Sequence, residues 1–182
     1  TVTIPASLTS IGGYAFYDCS SLTSVIFESG SQLTSLGSGA FSQSGLTTIT
    51  IPASVTSIGG NAFEGTGLTN ITIPASVTSI DGAFKDCSSL TSVIFESGSQ
   101  LTTIDGTFRN TGLTTITIPS SVTSITGNAF SGITGLTTIT IPASVTSIGA
   151  YAFAGCSSLA SIIFESGSQL TSIGNNAFQY SG

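Results

Sequence analysis

The chain repeats itself about every 23 residues, and that period constrains the fold more than any other feature. IPASVTSI stands at 51–58, 73–80 and 141–148, with IPASLTSI at 4–11 and IPSSVTSI at 118–125. FESGSQLTS occupies 27–35 and 164–172, and FESGSQLTT occupies 95–103. Phe16, Phe41, Phe63, Phe84, Phe108, Phe130, Phe153 and Phe178 recur at spacings of 21 to 25 residues, giving eight copies of one unit. Leu22, Leu46, Leu68, Leu90, Leu113, Leu136 and Leu159 open successive units.

Each unit reads L-T-x-I-x-I-P-x-S-V-T-S-I-G-x-x-A-F, followed by a short turn. The alternating L-x-x-I-x-I segment predicts a half-buried strand. Proline after it cannot donate to a strand ladder, so the strand stops there. S-V-T-S-I-G predicts a second, shorter extended segment closed by glycine, and Phe then turns into the interior. One unit cannot bury these residues by itself, whereas stacked units share a continuous apolar core. The predicted fold is therefore a β-rich solenoid of about eight coils, roughly 4.8 Å apart as in neighbouring parallel strands. Residues 1–182 read as one array with no capping sequence at either end. The chain is therefore expected to be part of a longer array or to stack end to end on copies of itself as a structural filament subunit. The absence of Met and the start inside a repeat predict a processed product or fragment.

Composition removes several function classes. Charged residues make up 5% of the chain, and Ser and Thr account for 62 of 182 positions. Polarity therefore comes from hydroxyls. The net charge is −6 and the only cations are Lys85 and Arg109. Such a chain cannot neutralise a run of phosphates or dock on anionic lipid, so neither nucleic acid nor a membrane surface is an expected partner. No apolar run reaches the roughly 18 to 20 residues that a membrane-spanning helix needs.

The pattern LTxIxIPxSVTSIGxxAFxxCSSL resembles the BspA-like leucine-rich repeats of bacterial and protist surface proteins, along the whole chain. Proline replaces the usual asparagine after the strand, as is typical of that type. The resemblance implies a right-handed coil with parallel strands on a concave face and short strands opposite. It also implies secretion or surface display, with adhesion or protein binding as the function. Contacts would then fall on the outward positions of the first strand: Ser24, Ile26, Thr48, Thr50, Asn70, Thr72, Ser92, Ile94, Thr115, Thr117, Thr138, Thr140, Ser161 and Ile163.

No arrangement of residues points to catalysis. There is no histidine, and nothing is placed to activate a serine or threonine. An enzyme is not expected, nor any cofactor or metal. Cys19, Cys87 and Cys156 recur three coils apart, about 14 Å by the strand spacing. That is too far for a disulfide, so they read as small buried residues at the turn. Glu28, Glu96 and Glu165 share the same interval and read as solvated loop carboxylates. Asp81 and Asp105 occupy adjacent units that are one residue shorter before Phe. Stacking would place them about 5 Å apart, either neutralised by Lys85 and Arg109 in a salt-bridge cluster or holding a cation such as Ca²⁺. Asn70-Ile71-Thr72 forms a glycosylation sequon inside a predicted strand. Finally, Thr9, Thr34, Thr56, Thr78, Thr102, Thr123, Thr146 and Thr171 form a column on the second segment. Regular threonine arrays of this kind resemble those of some ice-binding proteins, which makes ice binding the alternative to protein binding. Ile26, Ile94, Ile163 and Asn70 interrupt the corresponding array on the first strand.

Overall fold

In a computed structural model, which describes residues 1–182, the chain is a stack of parallel β-coils without a helix. One side carries the longer strands, Val2–Ile4, Ser24–Phe27, Asn70–Ile73, Ser92–Phe95, Thr138–Ile141 and Ser161–Phe164, together with the short Thr48–Ile49. The other carries two-residue strands, Ser10–Ile11, Ser35–Leu36, Ser57–Ile58, Thr103–Ile104, Ser124–Ile125, Ser147–Ile148 and Ser172–Ile173. Every strand pair is parallel and joins equivalent residues of neighbouring repeats, such as Val2 with Val25, Asn70 with Ser92, and Ser124 with Ser147. The repeat period is thus the length of one coil, as expected.

The local chemistry accounts for each part of the coil. In Asn70–Ile73 the side chains alternate exposed and buried, because successive residues of a strand face opposite ways. Proline ends the strand, and the valine and isoleucine of the second segment turn inward: Val77 and Ile80 are fully buried. All eight phenylalanines then stack in one column, with ring centroids 5.1 to 6.0 Å apart. Near-parallel aromatic pairs at this separation add about 0.5–1.5 kcal/mol each beyond the area they bury.

Glycine in I-G-x-x-A-F answers a close approach of backbones. A Cβ at Gly37, Gly59, Gly149 or Gly174 would lie 2.4 to 2.6 Å from backbone atoms of the preceding coil. Where the turn is one residue shorter, Asp81 and Asp105 stand in this place, and Thr126 follows them in the next coil. Two residues before each Phe the chain turns left-handed, with φ between 55° and 62°. Gly39, Gly82 and Gly106 adopt this conformation freely, and Asn61, Asn128 and Asn176 tolerate it better than most residues.

Cys87 and Cys156 are buried, and their thiols donate to the carbonyls of Phe63 (2.9 Å) and Phe130 (3.1 Å) in preceding coils. Burial pushes both thiols above the usual cysteine range, which makes them poor nucleophiles. Cys19, in the first coil, is exposed, so the expectation of three buried cysteines fails there. No disulfide forms.

Candidate binding face

The fourteen first-strand residues named from the sequence all lie on one side of the stack. Thirteen are exposed and Ser24 is half-buried. They form two parallel lanes. One lane is polar throughout: Ser24 pairs with Thr48, Asn70 with Ser92, and Thr138 with Ser161. Apart from a bond from the Asn70 amide to its neighbour Thr69, these side chains make no hydrogen bonds within the protein. The other lane carries isoleucine in every third coil. Thr3 aligns with Ile26, Thr72 with Ile94, Thr117 with Thr140, and Thr140 with Ile163.

The isoleucines mark the coils that carry the FESGSQ insertion, and the insertion explains what surrounds them. Its backbone bonds run back to the preceding coil: the amides of Glu28 and Gln32 donate to the carbonyls of Ile4 (3.1 Å) and Ala6 (2.9 Å). The Glu28 carboxylate accepts from the Ala6 amide at 3.0 Å, and Glu96 and Glu165 accept from Ala75 and Ala143 at 3.1 Å. These glutamates are therefore not simply solvated. Each satisfies the amide that follows Pro5, Pro74 or Pro142, where the strand ladder has just stopped.

With the insertion held to the coil before it, the ladder to the coil after it is short. Ser24–Phe27 aligns with only Thr48–Ile49, and Ser92–Phe95 is followed by a coil that forms no regular strand. A cleft opens at both places. The first, of about 560 Å³, lies between Ile26, Phe27 and Glu28 on one side and Pro52, Ala53 and Ser54 on the other. The second, of about 340 Å³, lies between Ile94, Phe95 and Glu96 and the equivalent Pro119, Ser120 and Ser121. Ile26 and Ile94 keep 53% and 58% of their surface exposed at these clefts, so large apolar groups stand in water without a partner. The Ser54 hydroxyl, which lines the first cleft, has no hydrogen-bond partner, whereas those of Ser76, Ser121 and Ser144 donate to carbonyls of the preceding coil. Between the clefts lies a polar trough lined by Thr48, Thr50, Asn70, Thr72 and Glu96, repeated at Thr115, Thr117, Thr138, Thr140 and Glu165.

The short-strand side is built differently. Thr34, Thr56, Thr78, Thr123, Thr146 and Thr171 are exposed, yet each hydroxyl donates to the threonine carbonyl of the preceding coil at 2.9 to 3.3 Å. The same carbonyl accepts the amide of the same residue, so the column is a doubly bonded seam in two stretches, Thr9 to Thr78 and Thr102 to Thr171, with no bond between Thr78 and Thr102.

The structure gathers Asp81, Asp105, Lys85 and Arg109 around a shallow depression of about 410 Å³ at the turn edge. The expected salt-bridge cluster is not what forms. Lys85 pairs with Glu64 at 2.9 Å and with Asp86 at 3.6 Å, and Arg109 makes no ion pair. Asp105 accepts from the Thr126 hydroxyl at 2.6 Å and Asp81 from that of Ser79 at 3.3 Å. The reason is the column geometry: Glu64, Lys85 and Arg109 all directly follow the core phenylalanine, so Lys85 meets Glu64 along the stack. Its hydrogen bond to Glu64 raises the Lys85 pKa. Nor does any group of three potential metal ligands converge.

Sequence reasoning named the face but missed the clefts. It named Ile26, Ile94 and Ile163 as contact positions and as breaks in a threonine array, but did not place the first two at the walls of clefts. Their recurrence with FESGSQ was the available signal that they belong to a larger three-coil unit.

Known proteins place this geometry in context. The family model for the BspA type leucine rich repeat region matches residues 1–106 and 102–182. A leucine rich cell surface protein from Faecalibacterium prausnitzii is 32% identical, with a TM-score of 0.69. The match covers 98% of this chain and 57% of that one. A leucine-rich repeat protein from Eubacterium ventriosum is 26% identical over 94% of this chain and 65% of its own, with a TM-score of 0.52. The pneumococcal vaccine antigen PcpA shares the fold at 21% identity and a TM-score of 0.56, over 97% of this chain and 58% of its own. The chain thus spans less than two thirds of the length of these structures. No curated protein matches it.

Proposed function

The chain belongs to the BspA-type leucine-rich-repeat family, and from that premise we propose that it is a non-catalytic binding module of a secreted or surface-displayed protein, engaging a protein partner through its long-strand face. The observation that carries this reading is the contrast between the faces. The long-strand side presents unpartnered hydroxyls and exposed isoleucines beside open clefts, while the short-strand hydroxyls serve the fold. Residues that combine apolar anchors with satisfiable polar neighbours are what protein recognition uses. Likeness to a cell surface protein supports the location, and adhesion is the corresponding role. No helix is long and apolar enough to cross a membrane.

Binding to a panel of immobilised extracellular proteins tests this. The triple variant Ile26→Ser, Ile94→Ser, Ile163→Ser should weaken binding to any protein the chain retains by tenfold or more. The double variant Thr56→Val, Thr78→Val, on the short-strand side, should leave it unchanged. The reverse pattern would end the reading. Ice binding is the competing reading, and two features weigh against it: the inward bonding of the short-strand hydroxyls and the isoleucine in every third coil of the opposite face. Thermal hysteresis at millimolar protein, insensitive to the isoleucine substitutions, would restore it.

A further inference from the structure

The period of the long-strand face carries information about the shape of its partner. Resting on the reading of that face as a binding surface, we propose that it takes an extended polypeptide segment lying along the stack. The segment has large apolar side chains four residues apart and a basic residue midway between them.

The spacing selects the conformation. The clefts at Ile26 and Ile94 are equivalent sites three coils apart, which is about 14 Å at the parallel-strand separation. An extended strand rises about 3.3–3.4 Å per residue with a side-chain period of two. Residues i and i+4 therefore point the same way about 13–14 Å apart and reach both clefts. An α-helix of pitch about 5.4 Å completes roughly 2.7 turns over that distance and presents the wrong side to the second cleft. A polyproline helix, with three residues per turn and about 3.1 Å rise, completes roughly one and a half turns and also faces away.

The chemistry of the face fits such a segment. The backbone of an extended peptide needs partners for its amides and carbonyls. The polar lane of Ser24, Thr48, Asn70, Ser92, Thr115 and Thr138 supplies hydroxyl and amide groups alongside the apolar lane. Each cleft is lined by isoleucine, phenylalanine and proline, which suits a leucine-sized side chain.

Charge then sets the residue in between. The face carries the carboxylates of Glu28, Glu96 and Glu165 at the clefts and troughs, while Lys85 and Arg109 both sit at the turn edge. Residue i+2 of the segment falls about 7 Å from each cleft, over the trough that Glu96 lines with Thr50 and Thr72. A lysine or arginine there meets a carboxylate, and an acidic residue is repelled.

The test uses three blocked synthetic peptides with serine at the remaining positions, titrated by fluorescence anisotropy against the 182-residue chain. One carries leucine at every fourth position with lysine midway. A second spaces the leucines by five, and a third replaces lysine by glutamate. The first should bind at least tenfold more tightly than either of the others. The variant Ile26→Ser, Ile94→Ser should lose that binding, and Thr56→Val, Thr78→Val should keep it. Both pairs are at exposed positions, and circular dichroism checks that each variant is folded. Failure of the four-spaced peptide to bind, or equal binding of the four- and five-spaced peptides, overturns the inference. If equal binding is still lost on Ile26→Ser, Ile94→Ser, the face itself survives as the binding surface. Binding that ignores those substitutions removes both.

Discussion

The two strand faces of this solenoid have nearly the same vocabulary, threonine and serine at regular intervals, and opposite uses for it. On the short-strand side, the hydroxyl of Thr78 donates to the Thr56 carbonyl at 3.1 Å, and that of Thr56 to the Thr34 carbonyl at 3.2 Å. On the long-strand side, Thr50 and Thr72 make no hydrogen bond through their side chains, and isoleucine replaces threonine in every third coil. A hydroxyl column therefore does not declare by its spacing whether its hydroxyls are bonded within the fold. What decides is whether the carbonyl of the preceding coil lies within reach of the same side chain.

Three measurements break or sharpen this contrast. The largest effect tests what the two faces share. Both hang on the phenylalanine column, so Phe84→Ala, with its ring fully buried, should destabilise the chain by about 3–5 kcal/mol. Denaturant unfolding followed by probes on each face should then show one coincident transition. Separate midpoints would mean that the faces are independent units and the comparison is between domains.

The second measurement addresses the contrast directly. Thr78→Val removes a hydroxyl bonded to the backbone and should cost about 0.5–1.5 kcal/mol. Thr72→Val removes one with no partner in the protein and should change stability by no more than about 0.5 kcal/mol in either direction. Equal costs would show that the seam contributes nothing to the fold.

The smallest effect concerns the turn edge that joins the faces. The hydrogen bond to Glu64 raises the Lys85 pKa above its ordinary 10.5. Its contribution to stability is therefore fully present below that value and is lost as pH rises through the folded-state pKa. Because the pair is partly exposed, the thermal midpoint should fall only slightly over this alkaline window, and Lys85→Gln should abolish that fall. A Lys85→Gln variant retaining the full pH dependence would place its source elsewhere.

Much of this was legible in the chain. Leu68, Ile71, Ile73, Val77, Ile80 and Phe84 recur at fixed offsets, and all are buried. The outward positions followed from the alternation of strand side chains, which is why the face was named residue by residue. The pairing of Lys85 was not legible. Its partner lies one coil away in the column that directly follows the core phenylalanines, Glu64, Lys85 and Arg109, and the acids of the shortened turns drew the reading to the wrong pair. The left-handed turns at Asn61 and Asn128, with φ near 60°, were also unmarked, although asparagine tolerates that conformation better than most residues.

By itself, then, the sequence determined the coil, its period, its buried columns and its outward residues, because apolar periodicity and proline and glycine punctuation act within one repeat. Tertiary structure alone decided which hydroxyls close on the backbone, that the three glutamates secure the insertions, and that clefts open beside Ile26 and Ile94. Each of these depends on the distance between neighbouring coils at one particular place. That distance is set by how a loop in one repeat seats against another, which no single repeat contains.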